Sequence, residues 1–366
     1  MQIKQMEPSF GSEELKAVET YLKSDGWLTE HKKTREFEQM IADYVGTKYC
    51  SVVSNGTVSL VSALLAFGIK PGDEVIVPDY TMGATAMAVS LIGAKPVFVD
   101  IEEDTLGVSF CDMRKKITDK TKALMLVGIN GRFPYFGEEI IDFCRCEDIH
   151  VIEDSAQCLG SHHDQQHIGT FSWVGSFSFS MPKIISTGQG GCLVTDDKYM
   201  YEEICKIKNF GRATSGNDVY DRVGSNFKFT DLQAVIGIEQ MKKLEDRVSI
   251  KKMNYMVYED ELFDVDGIDF IYTELKDTTP WMNDIILKSN KHRNFLMKFL
   301  AKKGIGTREF YPSMHMQIPY LDKKEKFPVS HKFSQCGLWL PSSITLKEKD
   351  IVYVCDSIKE GMKYVK

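Results

Sequence analysis

Three short stretches carry side chains whose types and order could do chemistry. In "SFSFSMPKIISTGQGG" (176–191), Lys183 stands alone among aromatic, hydroxyl and glycine residues, with no neighbouring charge. A buried amine is costly without a partner, and burial depresses its pKa until it is a nucleophile for a carbonyl carbon. Asp154 ends the apolar run of "VIEDSAQ", and Gln157, three residues on, falls on the same side of a following helical turn. Asn55-Gly56-Thr57 follows the strand-like "CSVVS" and opens a helical stretch. Bare N–H groups at such a helix start seat a phosphate, and glycine lets it approach closely. Each stretch also has a plain structural use. Lys183 could be a surface loop lysine, Asp154 a helix cap, and Asn55-Gly56-Thr57 a capped turn.

Taken in chain order, a phosphate seat, a carboxylate and an isolated amine fit pyridoxal phosphate. The amine condenses with the aldehyde, and the carboxylate keeps the pyridine nitrogen protonated so that the ring withdraws electrons. Ser178, Ser180, Thr187 and the glycines 188, 190 and 191 suggest a shaped polar pocket around Lys183. No G-x-G-x-x-G after a strand, P-loop, G-x-S-x-G or H-E-x-x-H competes with that reading. No metal site is expected, since Cys144 and Cys146 lack a second pair at zinc spacing and read as structural.

The elements that position these residues are legible from about residue 46 to 210. Short apolar runs at 50–54, 73–80, 95–100, 122–128 and 149–154 alternate with helical stretches, which predicts an α/β fold with a mostly parallel sheet covered on both faces. Ligands in such sheets bind beyond the carboxyl ends of the strands, where all three stretches fall. A long helical segment, about 231–262, leads to a smaller α+β region that closes with a helix at 346–366. The expected division is a large domain, 1–245, and a small C-terminal domain, 246–366.

Bulk properties exclude several functions. The chain has 366 residues, with 45 basic against 52 acidic side chains and a net charge of −7. No basic face or run is visible, so nucleic acid is not an expected partner. No apolar stretch is long enough for a membrane span. Nine scattered cysteines and an opening "MQIKQMEPSF" without an export pattern predict reduced thiols and a cytoplasmic setting.

Six colinear stretches carry a resemblance: "GWLTEHKKTREFE" (26–38), "SNGTVSLVSALLAFGIKPGDEVIVPDYT" (54–81), "VIEDSAQCLGS" (151–161), "FSFSMPKIISTGQGG" (177–191), "GSNFKFTDLQAVIGIEQ" (224–240) and "FYPSMHMQIPY" (310–320). Over nearly its whole length the chain resembles the DegT-type nucleotide-sugar aminotransferases, which share the aspartate-aminotransferase-like fold of type I pyridoxal phosphate enzymes. The resemblance implies that Lys183 binds the cofactor covalently and shuttles protons, that Asp154 pairs with the pyridine nitrogen, and that Gln157 contacts the ring hydroxyl. It assigns the phosphate to Gly56, Thr57 and Ser178, and to Asn226 reaching over from the neighbouring subunit, so a homodimer with shared active sites is implied. Trp27, Thr29, Lys228 and His315 fall at substrate positions, although His315 could equally be a packed histidine of the small lobe. Met82 stands where the family usually stacks an aromatic ring on the cofactor, Gly128 where many members have histidine, and His31-Lys32 where many have Gly-Pro.

A lysine rather than a histidine at 183 implies amino transfer rather than sugar dehydration. The "IISTGQGG" stretch resembles enzymes that aminate C4, so the expected reaction moves the amino group of L-glutamate to a nucleotide-linked 4-keto-6-deoxy sugar, foremost GDP-4-keto-6-deoxy-D-mannose. The alternatives are a UDP- or dTDP-linked 4-keto or 3-keto sugar. A non-catalytic cofactor-binding regulator would need a DNA-binding helix pair, which the sequence does not display.

Overall fold

A computed structural model describes residues 2–214 and 216–364. The five apolar runs form β1 (Tyr49–Val53), β2 (Glu74–Pro78), β3 (Lys95–Val99), β4 (Thr121–Val127) and β5 (His150–Asp154). A short hairpin, β6 (His162–His163) and β7 (Gln166–His167), follows, and then β8 (Val174–Ser178) and β9 (Gly191–Thr195). Seven of these make one sheet in the order β1-β9-β8-β5-β4-β2-β3. Strands β8, β5, β4, β2 and β3 are mutually parallel, while β9 runs antiparallel to both its neighbours, β8 and β1. Helices Gly56–Ala66, Gly83–Leu91, Phe110–Lys116 and Gly137–Cys146 are the crossovers from β1 through to β5. That is why β2 and most of β4 are apolar and buried on both faces.

The reversal of β9 shapes the site. It sets Gly191 opposite both Ser178 and Val53, so the end of β8 lies against the start of helix Gly56–Ala66. A Cβ at Gly191 would fall 2.6 Å from Gly56 N, and a Cβ at Gly56 would fall 2.9 Å from Ser178 Cβ. Neither position accommodates a side chain without displacing backbone. The turn between β8 and β9 carries Lys183.

A second sheet contains β10 (Ile268–Asp269), β11 (Asn283–Leu287), β12 (Arg308–Glu309) and β13 (Gly337–Leu340), in the order β10-β11-β13-β12 and antiparallel throughout. Ile285, Leu287, Leu338 and Leu340 from its strands pack with Leu296, Leu300, Ile351, Val354 and Ile358 from helices Asn290–Lys302 and Glu348–Met362. Ile3 forms a parallel bridge with Ile305, so the first described residues lie beside this sheet. The helical stretch expected at 231–262 is two helices, Asp231–Met241 and Leu244–Leu262. Lys243, at φ −103° and ψ 2°, leaves the helical region and separates them. Among the described residues no helix is long and apolar enough to cross a membrane. All nine cysteines are free; Cys144 is buried and Cys146 exposed.

One buried ion pair joins the two sheets. Arg132, in the loop after β4, donates two hydrogen bonds to Asp284 of β11, at 2.9 and 2.8 Å. The two residues are 2% and 1% exposed, so neither charge has water to fall back on. Replacing Asp284 by alanine leaves a guanidinium buried without its counter-charge, and the expected loss is about 3–5 kcal/mol of unfolding free energy. A urea titration of the variant checks this; an unchanged midpoint would show that the pair is not what holds this junction.

Candidate active site

Asp154 ends β5 and is 6% exposed. Its Oδ2 accepts a hydrogen bond from Thr85 Oγ1 at 2.7 Å, and its Oδ1 accepts from Ala156 N at 3.3 Å. Thr85 lies in the first turn of helix Gly83–Leu91 and is tied in turn to Thr81 Oγ1 at 2.8 Å. Burial raises the pKa of Asp154, while the two donors and the charge of Lys183 pull it back. The carboxylate is thus desolvated but aimed. The sequence reading missed Thr85, whose place one turn after a strand-to-helix junction was the available signal.

Lys183 is half-buried, and its Nζ lies 4.1 Å from the centroid of the Trp281 ring. Trp281 comes from the segment just before β11, and its Nε1 donates to Pro182 O at 2.7 Å, locking the ring beside the lysine. Burial lowers the Lys183 pKa to about 8; Asp154 opposes that fall and the positive charge of Arg308 adds to it. Near neutrality a useful fraction of this amine is therefore unprotonated, as attack on an aldehyde requires. Neither Trp281 nor Arg308 was legible as a site residue in the sequence.

Gln157 is anchored by its oxygen: Oε1 accepts from Asn130 N at 2.7 Å, which leaves the amide nitrogen to act as a donor. Asn130, at φ 56° and ψ 30°, in turn donates to Asp284 Oδ2 at 2.9 Å and accepts from Met282 N at 2.6 Å. Gln157 thereby inherits its position from the ion pair between the sheets. Asn55 caps helix Gly56–Ala66, its side chain accepting from Val58 N at 3.0 Å. The cap uses the amide of Val58 and leaves those of Gly56 and Thr57 at the bare helix start, with the half-buried Ser178 hydroxyl against Gly56.

The remaining expected residues fall in three other places. Thr29, Asn226 and Lys228 line a cleft of about 690 Å³ together with Arg35, Lys206 and Arg212. Phe227, between two of them, accepts a hydrogen bond from Ser54 N at 2.9 Å, so this segment runs beside the end of β1. Trp27 is exposed and stacks on His31, with ring centroids 5.9 Å apart. The carboxylate of Asp231 accepts from the backbone of His31, Lys33 and Thr34 at 2.7, 2.9 and 2.9 Å, and so caps helix Lys32–Val45 from a distance of two hundred residues of chain. His315 is buried, with Nδ1 2.9 Å from Asp79 Oδ2 and its ring edge-on to Phe327.

Met82 does not turn its sulfur toward the site. Its Sδ accepts from Ala84 N at 3.0 Å, capping the helix, and the residue is about half exposed. Gly128 has a clear reason: a Cβ there would overlap Cys158 Sγ, which instead donates to Gly128 O at 3.2 Å. No histidine fits beside this cysteine.

An amine with a lowered pKa, a buried carboxylate and a helix start closed by a serine form a set that matches the aldehyde, ring nitrogen and phosphate of pyridoxal phosphate. Two outcomes follow. The rate at which added cofactor attaches to the apoprotein, followed by absorbance, rises with pH and levels off above about 8, because only the neutral amine attacks; a flat profile would remove the role given to Lys183. Thr85→Val takes one hydrogen bond from Asp154, and the cofactor's dissociation constant, measured by fluorescence titration, is expected to rise about tenfold.

The comparisons with known proteins agree with this chemistry. The chain is 35% identical over 356 residues to the GDP-perosamine synthase of Escherichia coli O157:H7, covering 97% of each chain. It is 34% identical to the GDP-perosamine synthase of Vibrio cholerae, covering 96% of this chain and 97% of that one. The aminotransferase TlmJ from Streptoalloteichus hindustanus superposes with a TM-score of 0.93 at 26% identity, covering 99% of both chains. Residues 8–359 match the DegT/DnrJ/EryC1/StrS aminotransferase family, and the chain belongs to that family.

Proposed function

We propose that this protein aminates C4 of GDP-4-keto-6-deoxy-D-mannose with L-glutamate as donor, forming GDP-perosamine. The observation that carries the chemistry is Lys183: a half-buried amine with its pKa lowered to about 8, within the field of the Asp154 carboxylate and 4.1 Å from the centroid of the Trp281 ring. The substrate rests on two relatives named GDP-perosamine synthase, at 35% and 34% identity over nearly the whole chain.

Bound pyridoxal phosphate supplies an aldehyde that takes up the donor's amino group and a ring that withdraws electrons from the adjacent carbon. Gly56, Thr57 and Ser178 would hold its phosphate. Asp154, desolvated and oriented by Thr85, would keep the ring nitrogen protonated, and the amide of Gln157 would donate to the ring hydroxyl. Lys183 would take the proton from the donor's α-carbon. In the second half-reaction it delivers a proton to the sugar carbon that becomes aminated. The amino group is thus held on the enzyme between two substrates that need not be bound together.

The cleft lined by Thr29, Asn226 and Lys228 fits a homodimer with shared sites. Phe210, Val219, Tyr220 and Val223, all on the segment that carries Asn226, are exposed. A second copy laid against that segment would cover them and bring Asn226 to its partner's phosphate seat.

Glutamate with a panel of GDP-, UDP- and dTDP-linked 3-keto and 4-keto sugars provides the test, read by 2-oxoglutarate release and product mass. The GDP-linked 4-keto-6-deoxy sugar is expected to turn over fastest; preference for another nucleotide or for a 3-keto sugar replaces this substrate with that one. Lys183→Ala is expected to keep cofactor binding and lower transfer by about 10⁴-fold.

A further inference from the structure

We propose that Arg308 is the seat of the amino donor's α-carboxylate, an assignment that rests on the aminotransferase reading above. Arg308 opens β12, paired with Trp339 on β13. Its guanidinium carbon lies 5.8 Å from the centroid of the Tyr311 ring and 5.5 Å from that of Trp339. The rings hold the planar group in place by cation–π attraction, and among the described residues its guanidinium donates no side-chain hydrogen bond. The adjacent carboxylate does not neutralise it, because Glu309 pairs instead with Arg293 at 3.0 Å. Among the described residues Arg308 has no ion-pair partner, and the side chain is exposed to an incoming ligand.

An aromatic ladder connects this guanidinium to the reactive amine. The rings of Trp339 and Trp281 lie 5.9 Å apart, and the Trp281 ring lies 4.1 Å from Lys183 Nζ. The charge of Arg308 is felt at Lys183, whose pKa it helps to lower.

The ligand follows from chemistry. A guanidinium presents a rigid fork of donors that matches a carboxylate, and the contact gains strength where aromatic walls displace water. Two anionic substrates visit this enzyme in turn. The α-carboxylate of the donor is attached directly to the carbon whose proton Lys183 must take. The diphosphate of a sugar nucleotide is attached to C1, several ring bonds from the C4 that receives the amine. A cation joined to Lys183 through the Trp339 and Trp281 rings therefore suits the carboxylate, and Arg308 is a specificity residue for the amino acid.

Arg308→Gln and Arg308→Lys, prepared as holoenzymes, test this against the wild type. The single-turnover reaction with glutamate alone is followed by loss of the cofactor's visible absorbance band, and the amine-loaded enzyme is then given the keto sugar. Arg308→Gln is expected to raise the glutamate concentration for half-maximal rate by about 10- to 100-fold. Arg308→Lys is expected to recover part of that loss, and the keto-sugar dependence is expected to change far less. A non-reactive dicarboxylate such as maleate gives a readout apart from turnover. By neutralising Arg308 it raises the pH midpoint of the absorbance change in the wild type and leaves that of Arg308→Gln where it was. Unchanged glutamate dependence, or a loss that falls on the keto-sugar half, overturns the assignment. Should the wild type ignore glutamate but respond to another amino acid, the donor named above fails, and the same comparison is read with that amino acid.

Discussion

One amine withdrawn from water is the constraint on which the rest of this structure depends. In the role proposed for it, Lys183 must lose enough hydration to be partly neutral near physiological pH, yet stay open to an aldehyde and then to a carbon-bound proton. Burial alone would hide it, and exposure alone would leave it protonated. Its surroundings balance the two: the charge of the Asp154 carboxylate, the Trp281 ring 4.1 Å away, and the opposing charge of Arg308.

That balance needs both sheets. Asp154, Ser178 and Lys183 belong to the mostly parallel sheet and its β8–β9 turn, whereas Arg308 belongs to an edge strand of the antiparallel one and Trp281 to the segment just before its β11. The link between them is polar and buried. Asp284 holds Arg132 and Asn130, and Asn130 holds Gln157. Such a network is costly to desolvate, and a bidentate pair with added hydrogen bonds is the arrangement that offsets the cost. It also fixes geometry, because a shift at β11 moves the residues that bracket Lys183.

Local departures from the family pattern have local causes. Cys158 fills the space where a histidine at 128 would lie, and glycine is the residue that lets it do so. Met82 spends its sulfur on the backbone of its own helix. His31 makes no side-chain cap, and Asp231 supplies the missing acceptor from another helix. For Gly128 and His31 it is a neighbour remote in sequence that decides what the residue does.

The sequence alone determined β1 to β5 of the large sheet, since buried apolar runs followed by helices have few other folds. It also determined the placing of Lys183, Asp154 and the Gly56-Thr57 turn, because chemistry at such sheets gathers where strands end. It did not disclose β8 and β9, whose serine, glycine and cysteine content has no clear strand period, nor the break at Lys243 in a continuous helical pattern. Only the tertiary structure decided which side chains flank the amine. Thr85, Trp281, Arg132, Asp284 and Arg308 reach the site across strands, loops and a second sheet, through contacts that no periodicity records. Residue type and spacing specify the covalent chemistry, whereas the pKa that makes it possible is set by desolvation and charge in three dimensions.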